Sequence, residues 1–325
     1  MSGHITCIEK KRILFSPLNW GLGHLMRSIP IVEKLSKNNE VLICCNAQQE
    51  KVFREFFDDL WYIPHEGYPF NFNGSGKWKS ELMRNFLQLN KMRKNEHKIV
   101  EELVKKFKID LVISDQRYGF YSKNVKSILI THQVKLPLKY SFIQPGQWLN
   151  KHLINKFDEV WIPDDPNEKL SGKMGAVRSS KYLYIGVQSR FKNRNRKSSQ
   201  KYKYLCIVSG PNPYAQQFFY ELLDFLKNSN EKALIVTPNY VDIEEIPIHS
   251  NLKFITEPTL KAFESLFECS ELVISRAGYT TLMDLTVLDK EAILVPTPGQ
   301  FEQLYLAEIH KNHPRWRFVR SLSHL

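Results

Sequence analysis

No apolar run in the 325 residues approaches the ~18 needed to span a bilayer. The N-terminus, MSGHITCIEKKRILFSP, has no apolar segment ahead of a small-residue cleavage site, and is not read as a secretory signal. Cysteine is scarce and unpatterned. Cys7, Cys44, Cys45, Cys206 and Cys269 are odd in number and show no CxxC spacing. Four of them sit in or beside apolar runs, which points to reduced, mostly buried thiols in a cytosolic protein rather than disulfides or a metal site. No GxxxxGK(S/T) phosphate loop occurs anywhere. Acid is short relative to base, with 34 Asp and Glu against 46 Lys and Arg, a formal charge of +12. Such an excess suits nucleic acid, an anionic membrane surface or anionic substrates, and charge alone does not choose among them.

What is present is ordinary in composition, with 42% hydrophobic and 25% charged residues, as in globular proteins. The length exceeds one ordinary core and suits two domains of roughly 150 residues each. Short apolar runs alternate with helical spacing in both halves. In the first half, strands are expected at Arg12–Ser16, Glu40–Cys45, Leu60–Ile63, Asp110–Ser114, Ser127–Thr131 and Glu159–Ile162. Helices are expected at Leu25–Lys37, at Gln48–Phe57 with Phe53, Phe56 and Phe57 facing the sheet, at Ser80–Phe107 and at Gly146–Phe157. The stretch Gly67–Lys79 reads as a loop carrying Tyr68, Phe70, Phe72 and Trp78, either as a lid over an acceptor or tucked back onto the core.

The apolar pattern stops from Pro163 to about Ser180, resumes as a strand at Tyr182–Ile185, and gives way to a basic tract with Lys192, Arg194, Arg196 and Lys197. This sets an interdomain linker at 163–203 between domains at 1–162 and 204–325. The second half then repeats the alternation. Strands are expected at Tyr204–Val208, Lys232–Val236, Leu252–Ile255, Leu272–Ile274 and Ala292–Val295, with helices at Tyr214–Lys227, Ala262–Phe267 and Leu282–Leu288. The fold class is therefore α/β, two Rossmann-like domains facing each other across a cleft.

Chemistry collects at the turns. Asn19-Trp20-Gly21-Leu22-Gly23-His24 is not a dinucleotide fingerprint, because GxGxxG needs glycine at Met26 and Cys44-Cys45 ends the second strand without an acid. It is a glycine-lined turn that sets His24 at a helix N-terminus, where the dipole disfavours imidazolium and keeps a neutral base. Asp115 and His132 follow strands on the same sheet edge, so either could share the proton transfer. In the second half, Leu272–Leu306 holds two strand-to-helix turns side by side at one sheet edge. Ser209-Gly210-Pro211 and Arg276-Ala277-Gly278 offer backbone N–H groups and a cation to a diphosphate. Thr280 and Thr281 supply hydroxyls at the helix start, Asp284 could take a ribose, and Glu302 with Gln303 suit sugar hydroxyls.

The segments WGLGHLMRSIP, VSGP and ISRAGYTTLMDL…ILVPTPGQFEQLYLA resemble the GT-B glycosyltransferases of family 28 type. That group includes the N-acetylglucosaminyltransferase completing lipid II, and a group of uncharacterised bacterial glycosyltransferases is also similar. The resemblance implies a UDP-sugar donor held by the C-terminal domain and a glycan or lipid-linked acceptor held by the N-terminal one. It also implies metal-independent, inverting transfer without a cofactor, in a cytoplasmic protein of cell-envelope glycan synthesis, peripheral at the inner membrane face. No DxD metal signature is present. Gly21, Gly23 and His24 match the family's glycine–histidine loop, and Arg276, Gly278 and Thr281 its donor loop. Asp284 stands where a ribose-binding glutamate is usual, and Gln303 matches a glutamine that contacts the donor sugar. Asp289 replaces a frequent glycine, and the chain is expected to be truncated after Ala307, short of the family's final helices.

The expected reaction is direct displacement at the anomeric carbon, with His24 or Asp115 as base and the helix starts after Gly210 and Gly278 stabilising the leaving diphosphate. Two rivals stand beside it. A UDP-sugar 2-epimerase would use the same fold without an acceptor. A non-catalytic binder of polyanion or nucleic acid would answer to the charge, though no nucleic-acid motif is present and no nucleic acid is expected as partner.

Overall fold

A computed structural model describes residues 3–68, 78–137, 143–167, 169–191, 201–227, 229–243 and 250–325. The chain divides into two compact units, the first ending at Arg190 and the second running Phe191–Leu325. Phe70, Phe72 and the basic residues 192–197 lie outside the described residues, as does the side chain of Trp78.

The first unit opens with a single turn, α1 (Gly3–Thr6), then alternates β1 (Arg12–Pro17), α2 (Leu22–Leu35), β2 (Glu40–Cys45), α3 (Ala47–Arg54) and β3 (Trp61–Pro64). The long α4 (Trp78–Phe107) leads to β4 (Leu111–Asp115), β5 (Lys126–Ile130), α5 (Ile143–Ile154), β6 (Glu159–Ile162) and β7 (Tyr182–Tyr184). The strands form one parallel sheet in the order β3-β2-β1-β4-β5-β6-β7. Its central strands are continuous apolar runs because helices cover both faces. Val100 and Val104 of α4 pack on Leu14, Leu42, Cys44 and Val112. Asn46 caps α3 in a reciprocal box with Gln49. Of the three phenylalanines expected to face the sheet there, Phe53 is buried but Phe56 is exposed, because α3 stops at Arg54 and the chain turns outward.

The second unit runs β8 (Tyr202–Ile207), α6 (Tyr214–Leu226), β9 (Ala233–Thr237), β10 (Leu252–Thr256), α7 (Leu260–Glu268), β11 (Ser270–Arg276), α8 (Tyr279–Leu288), β12 (Glu291–Val295), α9 (Phe301–Ile309) and β13 (Trp316–Phe318). Its sheet is parallel in the order β10-β9-β8-β11-β12-β13. The core is Phe218, Phe219 and Leu222 of α6 against Cys206, Ile235 and Ile274, each large side chain contributing about 1.5–3 kcal/mol by burial. All five cysteines are free, and burial pushes the Cys45 thiol up to about 12.

Counted within each unit, the first six strands have one order, 3-2-1-4-5-6. That order reverses direction between the first and fourth strands, and open α/β sheets bind ligands in the crevice beyond the carboxyl ends of those two. In the first unit these ends are Pro17 and Asp115, which are paired neighbours. In the second they are Ile207 and Arg276, Ile207 pairing with Ser275 just before it.

Candidate functional site

In the first unit the chain leaves β1 through a short loop and enters α2 at Leu22, three residues earlier than the apolar spacing suggests. Gly21 makes this early start feasible. It precedes the helix at φ 81°, a torsion that a side chain would oppose, with open space where a Cβ would stand. Gly23 and His24 therefore lie inside the first turn of α2 rather than in the loop.

The loop is fixed from outside. Asn19 Oδ1 accepts from the Tyr68 backbone N–H at 3.0 Å, and Trp20 Nε1 donates to the Tyr68 carbonyl at 3.1 Å. Tyr68 is itself tied down, its hydroxyl donating to Glu96 of α4. Arg117 Nε donates to Glu96 at 2.7 Å and His65 Nε2 lies 3.2 Å from the same carboxylate. Burial works to raise the Glu96 carboxyl, but Arg117, His65 and Tyr68 together hold it below its ordinary value. Of the four loop aromatics, Tyr68 thus tucks back onto the unit.

Asp115 ends β4 beneath this loop, fully buried. Its Oδ2 accepts from Arg27 Nε at 2.7 Å, and Arg27 Nη2 donates to Oδ1. His24 Nδ1 lies 3.2 Å from Oδ1, and the Ser28 hydroxyl donates to Oδ2 at 3.4 Å. Arg27 Nη2 also stands 2.8 Å from His24 Nδ1, and Nη1 stands 3.1 Å from Nδ1 of the buried His132. So the structure brings all three expected proton-transfer candidates together, around an arginine that sequence reading passed over. The signal for Arg27 was available. It follows His24 by three residues, on the same helix face.

The electrostatics separate His24 from Asp115. Burial works to raise the Asp115 carboxyl, but Arg27 and His24 override it and hold the group below the carboxylate range. Burial first, then the Arg27 charge, lowers the His24 imidazole against the pull of Asp115. His24 keeps 19% of its side chain exposed while Asp115 keeps none. Of this pair, the neutral imidazole is the one with access to a ligand.

In the second unit β11 continues through Arg276, so that residue belongs to the strand and not to the turn expected there. Only Ala277 and Gly278 separate it from α8, with Ala277 buried. Thr280 and Thr281 fall within α8, which starts at Tyr279 without a side-chain cap, and they are not the capping hydroxyls expected. Arg276 is 4% exposed. Its Nη1 donates to the Pro296 carbonyl at 3.3 Å and Nη2 to the Tyr214 carbonyl at 3.4 Å, and the guanidinium lies 4.2 Å over the Phe218 ring. Nε is buried with no partner among the described residues. Burial pushes the group down to about 10.

The other expected donor residues lie on the turns and helices of the same unit. Ser209 and Gly210 follow β8, with Gly210 at φ 101° and its carbonyl accepting from the Tyr240 hydroxyl at 2.6 Å. The turns after β11 and β12 are adjacent because Arg276 pairs with Val295. Asp284 is buried midway along α8 and Glu302 is partly exposed on α9. Gln303 is buried, and its Oε1 accepts from the Thr297 backbone N–H at 2.7 Å, shaping the turn after β12. At the far end of α8, Asp289 takes the left-handed torsion φ 51°, ψ 43°. Arg315 donates to its carbonyl at 2.9 Å and pairs with its carboxylate at 3.2 Å.

Residues 195–310 match the glycosyltransferase family 28 C-terminal domain, and residues 11–145 match glycosyl transferase family 1. The chain is a glycosyltransferase of GT-B fold whose C-terminal domain is of the family 28 type. Among solved structures, this glycosyltransferase is similar to the glycotransferase of kitacinnamycin at TM-score 0.65 and 12% identity, over 98% of this chain and 87% of that one. The spinosyn rhamnosyltransferase SpnG complexed with thymidine diphosphate aligns at TM-score 0.62 and 15% identity, over 95% and 86%. MurG of Acinetobacter baumannii aligns at TM-score 0.53 and 13% identity, over 97% and 86%. No curated protein matches the sequence.

Proposed function

We propose that this glycosyltransferase moves an N-acetylhexosamine from a UDP-sugar to a glycan or lipid-linked acceptor, by direct inverting displacement that needs neither metal nor cofactor. The observation that carries the reading is Arg276, a buried guanidinium served by two long bonds to carbonyls, at the point where the second sheet reverses its strand order. A diphosphate would supply the charge and acceptors that this cation lacks, aided by the N–H groups at the starts of α6 and α8. As the glycosidic bond breaks, negative charge grows on that diphosphate, and a fixed buried cation stabilises it more than water would. Asp284 on α8 binds the ribose and Glu302 on α9 the sugar.

At the crevice of the first unit, His24 takes the proton of the acceptor hydroxyl and Asp115 orients it. Asp115 does not meet the acceptor, being buried beneath Arg27. Exposed Trp148 on α5 and Leu87 on α4, in a chain of formal charge +12, support an acceptor presented at an anionic membrane surface. No described helix is long and apolar enough to cross a membrane. Such an acceptor would place the enzyme on the cytoplasmic face.

The test is a thermal-shift screen of UDP, UDP-N-acetylhexosamines, thymidine diphosphate and RNA, followed by UDP release in the presence of chelator. The expected result is stabilisation by UDP-sugars and chelator-resistant release. Stabilisation by RNA and by no nucleotide overturns the reading, and preference for thymidine diphosphate overturns its UDP component.

A further inference from the structure

The guanidinium of Arg27 carries five N–H donors and no acceptor, so any hydrogen bond it makes to an imidazole nitrogen requires that nitrogen to be unprotonated. A carboxylate imposes the opposite demand, since it only accepts. His24 Nδ1 faces both, with Arg27 Nη2 at 2.8 Å and Asp115 Oδ1 at 3.2 Å, and one nitrogen cannot satisfy the two together. The donor inventory of Arg27 favours the first. Nε–H goes to Asp115 Oδ2, one Nη2–H to Asp115 Oδ1, the other Nη2–H to His24, and an Nη1–H to Nδ1 of His132 at 3.1 Å. The planar fork thus spans one carboxylate and two imidazoles at once.

We infer that Arg27 is a positioning residue that sets the tautomer of His24, holding its Nδ1 as acceptor and its Nε2–H outward, and holds His132 in the same form. The inference rests on the reading of His24 as the proton acceptor, and adds a constraint to it. Before substrate arrives, His24 offers its crevice a hydrogen-bond donor. It becomes a base only in the other tautomer, reached when Arg27 Nη2 releases Nδ1, solvent delivers a proton to Nδ1 opposite Asp115, and the Nε2 proton leaves to solvent through the exposed part of the ring. The lowered imidazole affinity for a second proton, caused by burial and by Arg27, agrees with a ring kept neutral.

The experiment is a two-bond 1H–15N correlation spectrum of the whole chain at neutral pH, with His24 and His132 assigned by His24→Gln and His132→Gln. The expected pattern in the wild type is the Nε2–H tautomer for both rings. Arg27→Lys retains a cation opposite Asp115 but has no fork to reach both rings, and His24 should shift toward the Nδ1–H form as Asp115 becomes its partner. A wild-type His24 in the Nδ1–H form overturns the inference, whether or not the variant folds. So does a folded Arg27→Lys protein whose His24 pattern is unchanged. The spectrum requires no sugar donor or acceptor, so it stands or fails separately from the transfer reaction.

Discussion

Arg27 grips Asp115 from both sides of its fork, Nε donating to one carboxylate oxygen at 2.7 Å and Nη2 to the other. Both side chains are withdrawn from water, so removing one charge strands the other. Asp115→Asn should cost about 3–5 kcal/mol, seen as a lower urea midpoint. A loss of under about 1 kcal/mol, the size of a surface pair, would show that Arg27 finds solvent instead.

Acid should weaken the protein in two stages. His24 is held below its ordinary pKa when folded, so the unfolded chain takes up that proton first and stability falls as pH drops below ~6.5. Asp115 is also held low, so its contribution is complete above ~3.9 and is lost as pH falls on toward the folded value. Denaturation midpoints measured between neutral pH and acid should flatten in the upper stage alone for His24→Gln. Parallel curves for the two proteins would remove His24 from this account.

Turnover should depend on His24 far more than nucleotide binding does. His24→Gln is expected to slow sugar transfer by about 10²–10⁴-fold, the usual weight of a general base. Its UDP-induced thermal shift should match the wild type. Equal losses in both measurements would make His24 a binding residue only.

Arg276 should show the reverse of the usual coupling between stability and function. Among the described residues no carboxylate bonds to it, so Arg276→Met removes a buried charge and should leave the melting temperature unchanged or higher. The same variant should lose about 1.5–3 kcal/mol of UDP affinity, the value of a hydrogen bond to a charged group. Isothermal titration with UDP and a melting curve give the two numbers. Undiminished affinity would place the diphosphate elsewhere.

Gly119 is a packing limit beside Arg117. A Cβ there would stand 2.4 Å from the Arg93 carbonyl oxygen of α4. Gly119→Ala should cost about 1–3 kcal/mol through displaced backbone, measured by chemical denaturation. Wild-type stability would mean that α4 moves freely at that point.

Most of the architecture could be read from the sequence, because buried parallel strands are written as short apolar runs separated by helical spacing. Leu14, Val112 and Ile274 advertise their strands directly. What escaped lies at element ends and in side-chain partnerships. β13 is only Trp316–Phe318, preceded by Arg315 and with Arg317 at its centre, and three alternating residues carry little periodic signal. Arg276 reads as a turn residue because small residues surround it, whereas the strand runs through it and its guanidinium lies over the Phe218 ring. Arg27 was hidden for the converse reason. Its neighbours in α2 are apolar, and an arginine among them looks like a solvated face until Asp115, 88 residues away, is seen beside it. The bond that Gln303 Oε1 accepts from the Thr297 N–H depends on a turn that spacing does not specify.

The left-handed torsion at Asp289 bears on how far departures from relatives can be trusted as clues to substrate. Glycine meets that torsion without a side chain, and aspartate meets it here with Arg315 bonded to both its carbonyl and its carboxylate. The position lies at the opposite end of α8 from Gly278, away from the ligand crevice. An exchange of glycine for aspartate there changes how a helix is stopped. A catalogue of donor preferences built on residue 289 would be sorting proteins by their turns.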